Sequence, residues 1–134
     1  MKKFFLLALV SFVFFACGGS AENEGGKVVS DDATVYVYYF HGKQRCMTCN
    51  AVENVVKETV ETYFGANDNV VFLPLLSDER ANSTLVERYN VSWNGLIVSK
   101  GEDFSDITGE AFANAVNNSE VLVELLINEI NNRL

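Results

Sequence analysis

The feature that most constrains the fold of this chain is an apolar run that leads, through a short loop, into a helical pattern. Residues 34–40 (TVYVYYF) are β-branched or aromatic without a polar break, which is typical of a strand buried on both faces of a sheet. Residues 46–64 carry apolar side chains every four residues with charged ones between them, which predicts an amphipathic helix. A second apolar run, residues 69–76, follows. Two strands joined by a helical crossover are expected to be parallel, so the sequence predicts an α/β domain.

The rest of the chain predicts a hairpin and more helices around the same sheet. A helix capped by Ser77 or Asp78 is expected to end near Tyr89, and residues 95–99 and 103–108 are expected to form two hairpin strands. After Gly109 the pattern is helical again, with a break at residues 117–119. The last helix is expected to bury the face formed by Val123, Ile127, Ile130 and Leu134. The order β-α-β-α-β-β-α predicts one domain with a central mixed four-stranded sheet flanked by helices.

Composition removes several classes of function. The net charge is −8 and the pI is about 4.5, which argues against nucleic acid as a partner, because nucleic-acid binding needs a basic face. The chain has one His and three Cys, too few for a His-rich metal site or a disulfide scaffold. Function is therefore expected to depend on a small number of polar groups or on an interaction surface.

The N-terminal residues predict export. Lys2 and Lys3 precede an apolar run that only Ser11 interrupts, and this run is shorter than the ~18 residues that span a bilayer. It ends in Ala16-Cys17, a junction that resembles the lipobox of bacterial lipoproteins, in which the Cys is lipidated. Residues 1–16 are therefore predicted to be a lipoprotein signal peptide, residues 17–33 a lipidated Cys with a flexible acidic tether, and residues 34–134 the domain. The resemblance implies a cell-envelope location with the domain outside the cytoplasm, and Gly18 favours the outer membrane over the inner.

The candidate chemistry lies in Cys46-Met47-Thr48-Cys49, at the predicted junction between strand and helix. A helix N-terminus carries unpaired N–H groups and about half a positive charge, which favours a thiolate. Lys43 and Arg45 add cationic charge, so the pKa of Cys46 is expected to lie below that of a free thiol. Spacing i, i+3 predicts that Cys46 is the exposed nucleophile and Cys49 the buried resolving thiol.

These elements resemble the thioredoxin-like superfamily over about residues 34–134. The resemblance depends on the element order, the CxxC site, the run Glu87-Arg88-Tyr89-Asn90-Val91 and the Lys100-Gly101 turn. More narrowly, Tyr38-Tyr39-Phe40-His41-Gly42 followed by Arg45-Cys46-Met47-Thr48-Cys49 is similar to a group of small bacterial thioredoxin-like lipoproteins labelled the ArsF family.

The chain also departs from the family pattern. The position of the family's strand aspartate is Phe40, and the position of its cis-proline falls at Gly95 or Asn94. The resemblance implies a substrate groove at Trp93, Asn94 and Gly95, although Trp93 has core filling as an alternative role.

The resemblance implies a membrane-tethered thiol–disulfide oxidoreductase that needs no cofactor. Its partners would be a protein or small-molecule disulfide, an upstream thiol electron donor, and the membrane through lipid on Cys17. In that role His41, Lys43 and Arg45 would tune the dithiol or transfer protons. One alternative is a soft-metal or arsenite-type binding protein with Cys46, Cys49 and His41 as ligands. Another is a non-catalytic thioredoxin-like interaction module.

Overall fold

The computed structural model describes residues 31–134. Four strands and four helices follow one another in the predicted order. The strands are β1 (Val35–His41), β2 (Val70–Leu76), β3 (Gly95–Lys100) and β4 (Asp103–Asp106). The helices are α1 (Met47–Phe64), α2 (Ser83–Arg88), α3 (Thr108–Asn114) and α4 (Ser119–Asn131), with a 3₁₀ turn at Arg80–Asn82 before α2.

The strands form one mixed sheet in the order β2-β1-β3-β4. β1 pairs with β2 in parallel and with β3 antiparallel, and β3 and β4 form an antiparallel hairpin. The predicted α/β class and the mixed four-stranded sheet are thus confirmed. Pro74 lies in β2, an edge strand, where a missing backbone donor is tolerated.

Both faces of β1 are buried, as its unbroken apolar run predicts. Val35, Val37 and Tyr39 point into a large core that α1, α3 and α4 cover. Tyr38 and Phe40 point the other way, into a smaller core around Tyr89 at the end of α2. The strand therefore lies at the centre of the molecule, and its carboxyl end is fixed by packing on both sides.

The start of α1 is where the helical pattern predicts it. Cys46 is the N-cap residue, and the helix runs from Met47 to Phe64. Its buried face includes Val52, Val56 and Val60 from the predicted stripe. The CxxC motif is consequently held at the point where β1, which is buried on both faces, passes into α1.

Three local predictions are wrong. The first is the helix expected from Ser77 or Asp78. Ser77 instead continues the pairing of β2, with its N–H donating to His41 O at 2.9 Å, and Asn82 Nδ2 donates to Leu76 O at 2.8 Å. These bonds hold the segment in turns, so α2 begins only at Ser83.

The second is the last strand, which ends at Asp106 rather than Thr108. The Asp106 carboxylate accepts the N–H of Thr108 at 3.0 Å and so turns the chain into α3. The third is the face of α4, which buries Leu122, Leu126 and Ile130. Of the four residues predicted for that face only Ile130 is buried; Val123 and Ile127 flank it and Leu134 is exposed.

A turn formed by Asp31 precedes β1 within the described residues. Asp31 accepts hydrogen bonds from the N–H groups of Ala33 and Thr34, both at 3.0 Å, which forms a turn that leads into β1. The predicted signal peptide, Cys17 and residues 17–30 of the predicted tether lie outside the described residues. Within residues 31–134, no helix combines the length and the apolar character needed to cross a membrane.

Candidate functional site

The CxxC cysteines form a disulfide across the first turn of α1. Cys46 and Cys49 are bonded, with Cα atoms 5.0 Å apart. Cys46 has an extended backbone, and its sulfur accepts the N–H of Cys49 at 3.0 Å, in the place of the oxygen of an ordinary N-cap residue. The Cys46 sulfur therefore lies where the helix presents its unpaired donors.

The two cysteines differ in exposure. Cys46 is exposed, whereas Cys49 is only 5% exposed. An incoming group can therefore reach Cys46 but not Cys49. The first turn of α1 holds no acidic side chain that would oppose the positive end of the helix.

Arg45 lies next to this disulfide and is held by two groups. Its Nη2 donates to Glu53 Oε2, and its guanidinium carbon lies 5.9 Å from the centre of the Tyr39 ring. Glu53 follows Cys49 by four residues on α1, which places the two side chains on neighbouring turns of the same face. The cation expected to act on Cys46 is therefore already paired with a carboxylate.

Tyr39 connects β1 to the same turn of α1. Its buried hydroxyl donates to the carbonyl oxygen of Cys49 at 2.9 Å. Burial raises the pKa of Tyr39, and the charge and hydrogen bond of Arg45 lower it only in part. The phenol therefore stays protonated at neutral pH and acts as a fixed donor to the CxxC backbone.

Lys43 is also paired. Its Nζ lies 3.1 Å from Asp78 Oδ2 on the loop after β2, and both side chains are substantially exposed. The loop between β1 and α1 is thus tied to its neighbour by an ion pair, and the Lys43 charge is partly offset.

His41 is half-buried at the end of β1. Its Nδ1 lies 3.0 Å from Gly42 O, and its own carbonyl accepts hydrogen bonds from the N–H and hydroxyl of Ser77. Among residues 31–134, no group of three or more His, Cys, Asp and Glu side chains is arranged to hold a metal ion. The three-ligand set with His41 is therefore not assembled in the disulfide form.

A groove of about 410 Å³ lies beside the loop that precedes the CxxC motif. Trp93 is 74% exposed and forms one wall, so the core-filling interpretation of this residue is wrong. The groove is lined by Gly42, Lys43, Gln44, Asp78, Trp93 and Asn94.

Gly95, also predicted for the groove, does not line it. It is buried in β3 opposite Phe40, and a Cβ atom there would lie 3.1 and 3.2 Å from the two methyl groups of Val91. The position that the resemblance assigned to a proline is therefore packed closely enough to favour glycine.

Sequence reasoning missed Glu53 and Tyr39. Glu53 carried a usable signal, because it continues the i, i+3, i+7 series from Cys46 and Cys49 along one face of the helix. Tyr39 carried none beyond its place in an apolar strand. Its role depends on which face of β1 meets α1.

Comparison of the chain with family models, with curated proteins and with solved structures finds no match. The fold and the geometry of residues 31–134 therefore carry the functional argument.

Proposed function

We propose that this protein is a thiol–disulfide oxidoreductase of thioredoxin-like architecture, with Cys46 as the attacking thiol and Cys49 as the resolving thiol. The observation that carries the proposal is the unequal exposure of two bonded cysteines at a helix N-terminus. This arrangement leaves Cys46 open to an incoming disulfide and places its sulfur at the positive end of a helix, which stabilises a thiolate.

The reaction follows from this arrangement. The reduced Cys46 thiolate attacks one sulfur of a substrate disulfide, which forms a mixed disulfide and releases the other sulfur as a thiolate. Cys49, once deprotonated, attacks the Cys46 sulfur, closes the intramolecular disulfide and releases the second substrate thiolate. The substrate gains two electrons and the dithiol loses two, and an external thiol donor must return them.

The topology supports the architectural part of the proposal. A parallel β1-α1-β2 unit followed by an antiparallel β3-β4 hairpin and a helix, in strand order β2-β1-β3-β4, is similar to the core of thioredoxin-like domains. Phe40 and Gly95 depart from the family pattern, so proton transfer and substrate contact would use other groups here. The exposed Trp93 and the groove beside it offer an apolar wall for a polypeptide substrate.

The cellular setting is part of the same proposal. Lipid on Cys17 would hold the domain at a membrane outside the cytoplasm, where disulfides persist. Metabolic labelling with a fatty acid tests this, because Cys17→Ala should abolish labelling of the chain. Equal labelling of the two chains would remove the anchor from the proposal.

The catalytic part is tested by trapping. The reduced full chain is mixed with oxidised glutathione, and each cysteine is read by peptide mass. Cys49→Ser should accumulate a mixed disulfide with glutathione at Cys46, whereas Cys46→Ser should react slowly at Cys49. Trapping at neither residue, or equally at both, would contradict the proposed roles. Stoichiometric retention of arsenite or zinc by the reduced chain without such exchange would instead support the metal-binding alternative.

A further inference from the structure

The Arg45–Glu53 pair has an unusual position relative to the dithiol. Arg45 is covalently adjacent to Cys46, and Glu53 lies one turn beyond Cys49. Their side chains are about one quarter exposed, so solvent screens the pair less than it screens a surface ion pair. A charge change in either residue should therefore be felt at the sulfur atoms.

Arg45 also retains unused donor capacity. A guanidinium has five N–H donors, and Arg45 uses Nη2 to bond Glu53 while its guanidinium also contacts the Tyr39 side chain. Its Nε is buried and has no hydrogen-bond partner within residues 31–134. The guanidinium is fixed between Glu53 and the Tyr39 ring without being saturated by them.

We infer that Glu53 is a positioning residue for the dithiol: it fixes Arg45 beside Cys46 and cancels most of the Arg45 charge that would otherwise stabilise the Cys46 thiolate. The inference rests on the proposed function, since it concerns the reduced form of the same site. The positive end of α1 is then the main stabiliser of the thiolate. A less stabilised thiolate makes the dithiol a better reductant, because stabilising the reduced form is what makes such a pair oxidising.

The other charged or titratable groups near the dithiol do not supply the same effect. Lys43 is paired with Asp78 on the loop after β2, and Tyr39 keeps its proton at neutral pH. His41 is turned toward Gly42 O. Glu53 is therefore the carboxylate that the fold brings to Arg45.

The test is a four-member charge cycle on the full chain. Reduced wild type, Glu53→Gln, Arg45→Gln and the double variant are alkylated over a pH series, and Cys46 is read by peptide mass. Gln at position 53 keeps an acceptor for Arg45 but removes the charge. At a pH below the Cys46 pKa, we expect alkylation about threefold faster in Glu53→Gln and about threefold slower in Arg45→Gln. In the double variant, the alkylation rate of Cys46 should be close to that of the wild type, because the ion pair that is removed has no net charge.

Glu58→Gln is the matched control. Glu58 is an exposed glutamate on the same helix, about 18 Å along the axis from Cys46, beyond the screening length at physiological salt. Cys46 of the Glu58→Gln variant should be alkylated at the wild-type rate. If Glu53→Gln alone fails to fold, the comparison of Arg45→Gln with the double variant carries the same test.

Two results would overturn the inference: Glu53→Gln alkylating like wild type, or the double variant remaining as slow as Arg45→Gln. Either could occur while glutathione exchange at Cys46 stays normal, in which case the proposed function stands and only the role of Glu53 is lost. Absence of exchange in the wild type would instead remove the proposed function.

Discussion

Arg133 and Arg45 are each held by a glutamate, but the two pairs differ in how completely the arginine is bound. Arg133 is 7% exposed and donates to Glu129 Oε2 at 2.6 Å, Glu129 O at 2.9 Å and Ser105 Oγ at 2.8 Å. Its Nε lies 3.0 Å from Asp103 Oδ2, an ion-pair separation without hydrogen-bond alignment. Arg45 is 26% exposed and is held by Glu53 and the face of Tyr39.

The difference separates a structural role from a tuning role. Arg133 ties the end of α4 to β4, and its own carbonyl accepts Lys100 Nζ at 2.6 Å, so the last helix is fastened to the hairpin. Arg45 makes fewer contacts that hold elements of the fold together, but it lies beside the disulfide. We expect loss of Arg133 to affect stability without affecting the thiols, and loss of Arg45 to do the reverse.

The largest expected effect is that of Arg133→Met. Removing a buried cation leaves the Glu129 carboxylate without its counter-charge, so the free energy of unfolding should fall by roughly 3 kcal/mol. Denaturant unfolding measures this, with Arg80→Met as the control, since Arg80 is an exposed arginine in the 3₁₀ turn. The alkylation rate of Cys46 should not change. Slower alkylation of Cys46 in Arg133→Met would contradict the purely structural role assigned to Arg133.

The second-largest loss of unfolding free energy is expected for Glu129→Gln, about 2 kcal/mol at neutral pH. This loss is smaller than that of Arg133→Met because Asp103 still offsets the Arg133 charge. Burial raises the pKa of Glu129, but hydrogen bonds from Ser105 and Arg133 and the Arg133 charge outweigh it, so the pKa lies below the usual 4.5. A lowered folded-state pKa stabilises the fold above the unfolded value, and this stabilisation is lost as pH falls through the folded value.

The difference in unfolding free energy between wild type and Glu129→Gln should therefore shrink as the pH is lowered below about 4.5. Unfolding curves from pH 7 to pH 3 measure it, with the exposed Glu124→Gln on the same helix as the control. A difference independent of pH would mean that the Glu129 charge does not contribute.

Tyr39→Phe should lower the free energy of unfolding by about 1 kcal/mol, because the carbonyl of Cys49 loses a buried hydrogen-bond donor. Tyr89→Phe is a close match, since Tyr89 also donates a buried hydrogen bond, to Ser99 Oγ at 3.0 Å, in the smaller core. The two variants should lose similar stability. Only Tyr39→Phe should speed amide hydrogen exchange in the first turn of α1, and equal exchange there would deny Tyr39 its link to the site.

The smallest expected effect on stability is that of Arg45→Gln, about 0.5 kcal/mol, because the pair it breaks is partly solvated. Its effect should be seen in thiol reactivity instead. A loss of unfolding free energy as large as that of Arg133→Met would mean that Arg45 has a structural role, as Arg133 does.

The parts of the fold that could be predicted from sequence are those with a regular apolar pattern. An unbroken apolar run predicts β1 because both of its faces are buried, and the four-residue periodicity predicts α1 because one of its faces is buried. The start of α2 differs from the prediction because Ser77 bonds to His41 O, 36 residues earlier, and no local pattern encodes this contact. The face of α4 was misjudged because Leu122 and Leu126 have apolar neighbours at almost every position.

The site was predictable in its cysteines and less so in their surroundings. The CxxC position, the exposed Cys46 and the buried Cys49 follow from helix geometry alone. The effect assigned to Lys43 and Arg45 did not account for their carboxylate partners, which come from another loop and from farther along α1. Electrostatics of this kind depends on side-chain pairing, and pairing is settled by the tertiary fold.

The central claim is that Cys46 is an activated thiol and Cys49 a sheltered one. The most direct measurement is alkylation of the reduced full chain over a pH series, with Cys46, Cys49 and Cys17 read as separate peptides. The account predicts that Cys46 reacts first, with a pKa below the ~8.5 of a free thiol, while Cys49 reacts slowly. Equal, slow reaction of both thiols with an ordinary pKa would contradict it.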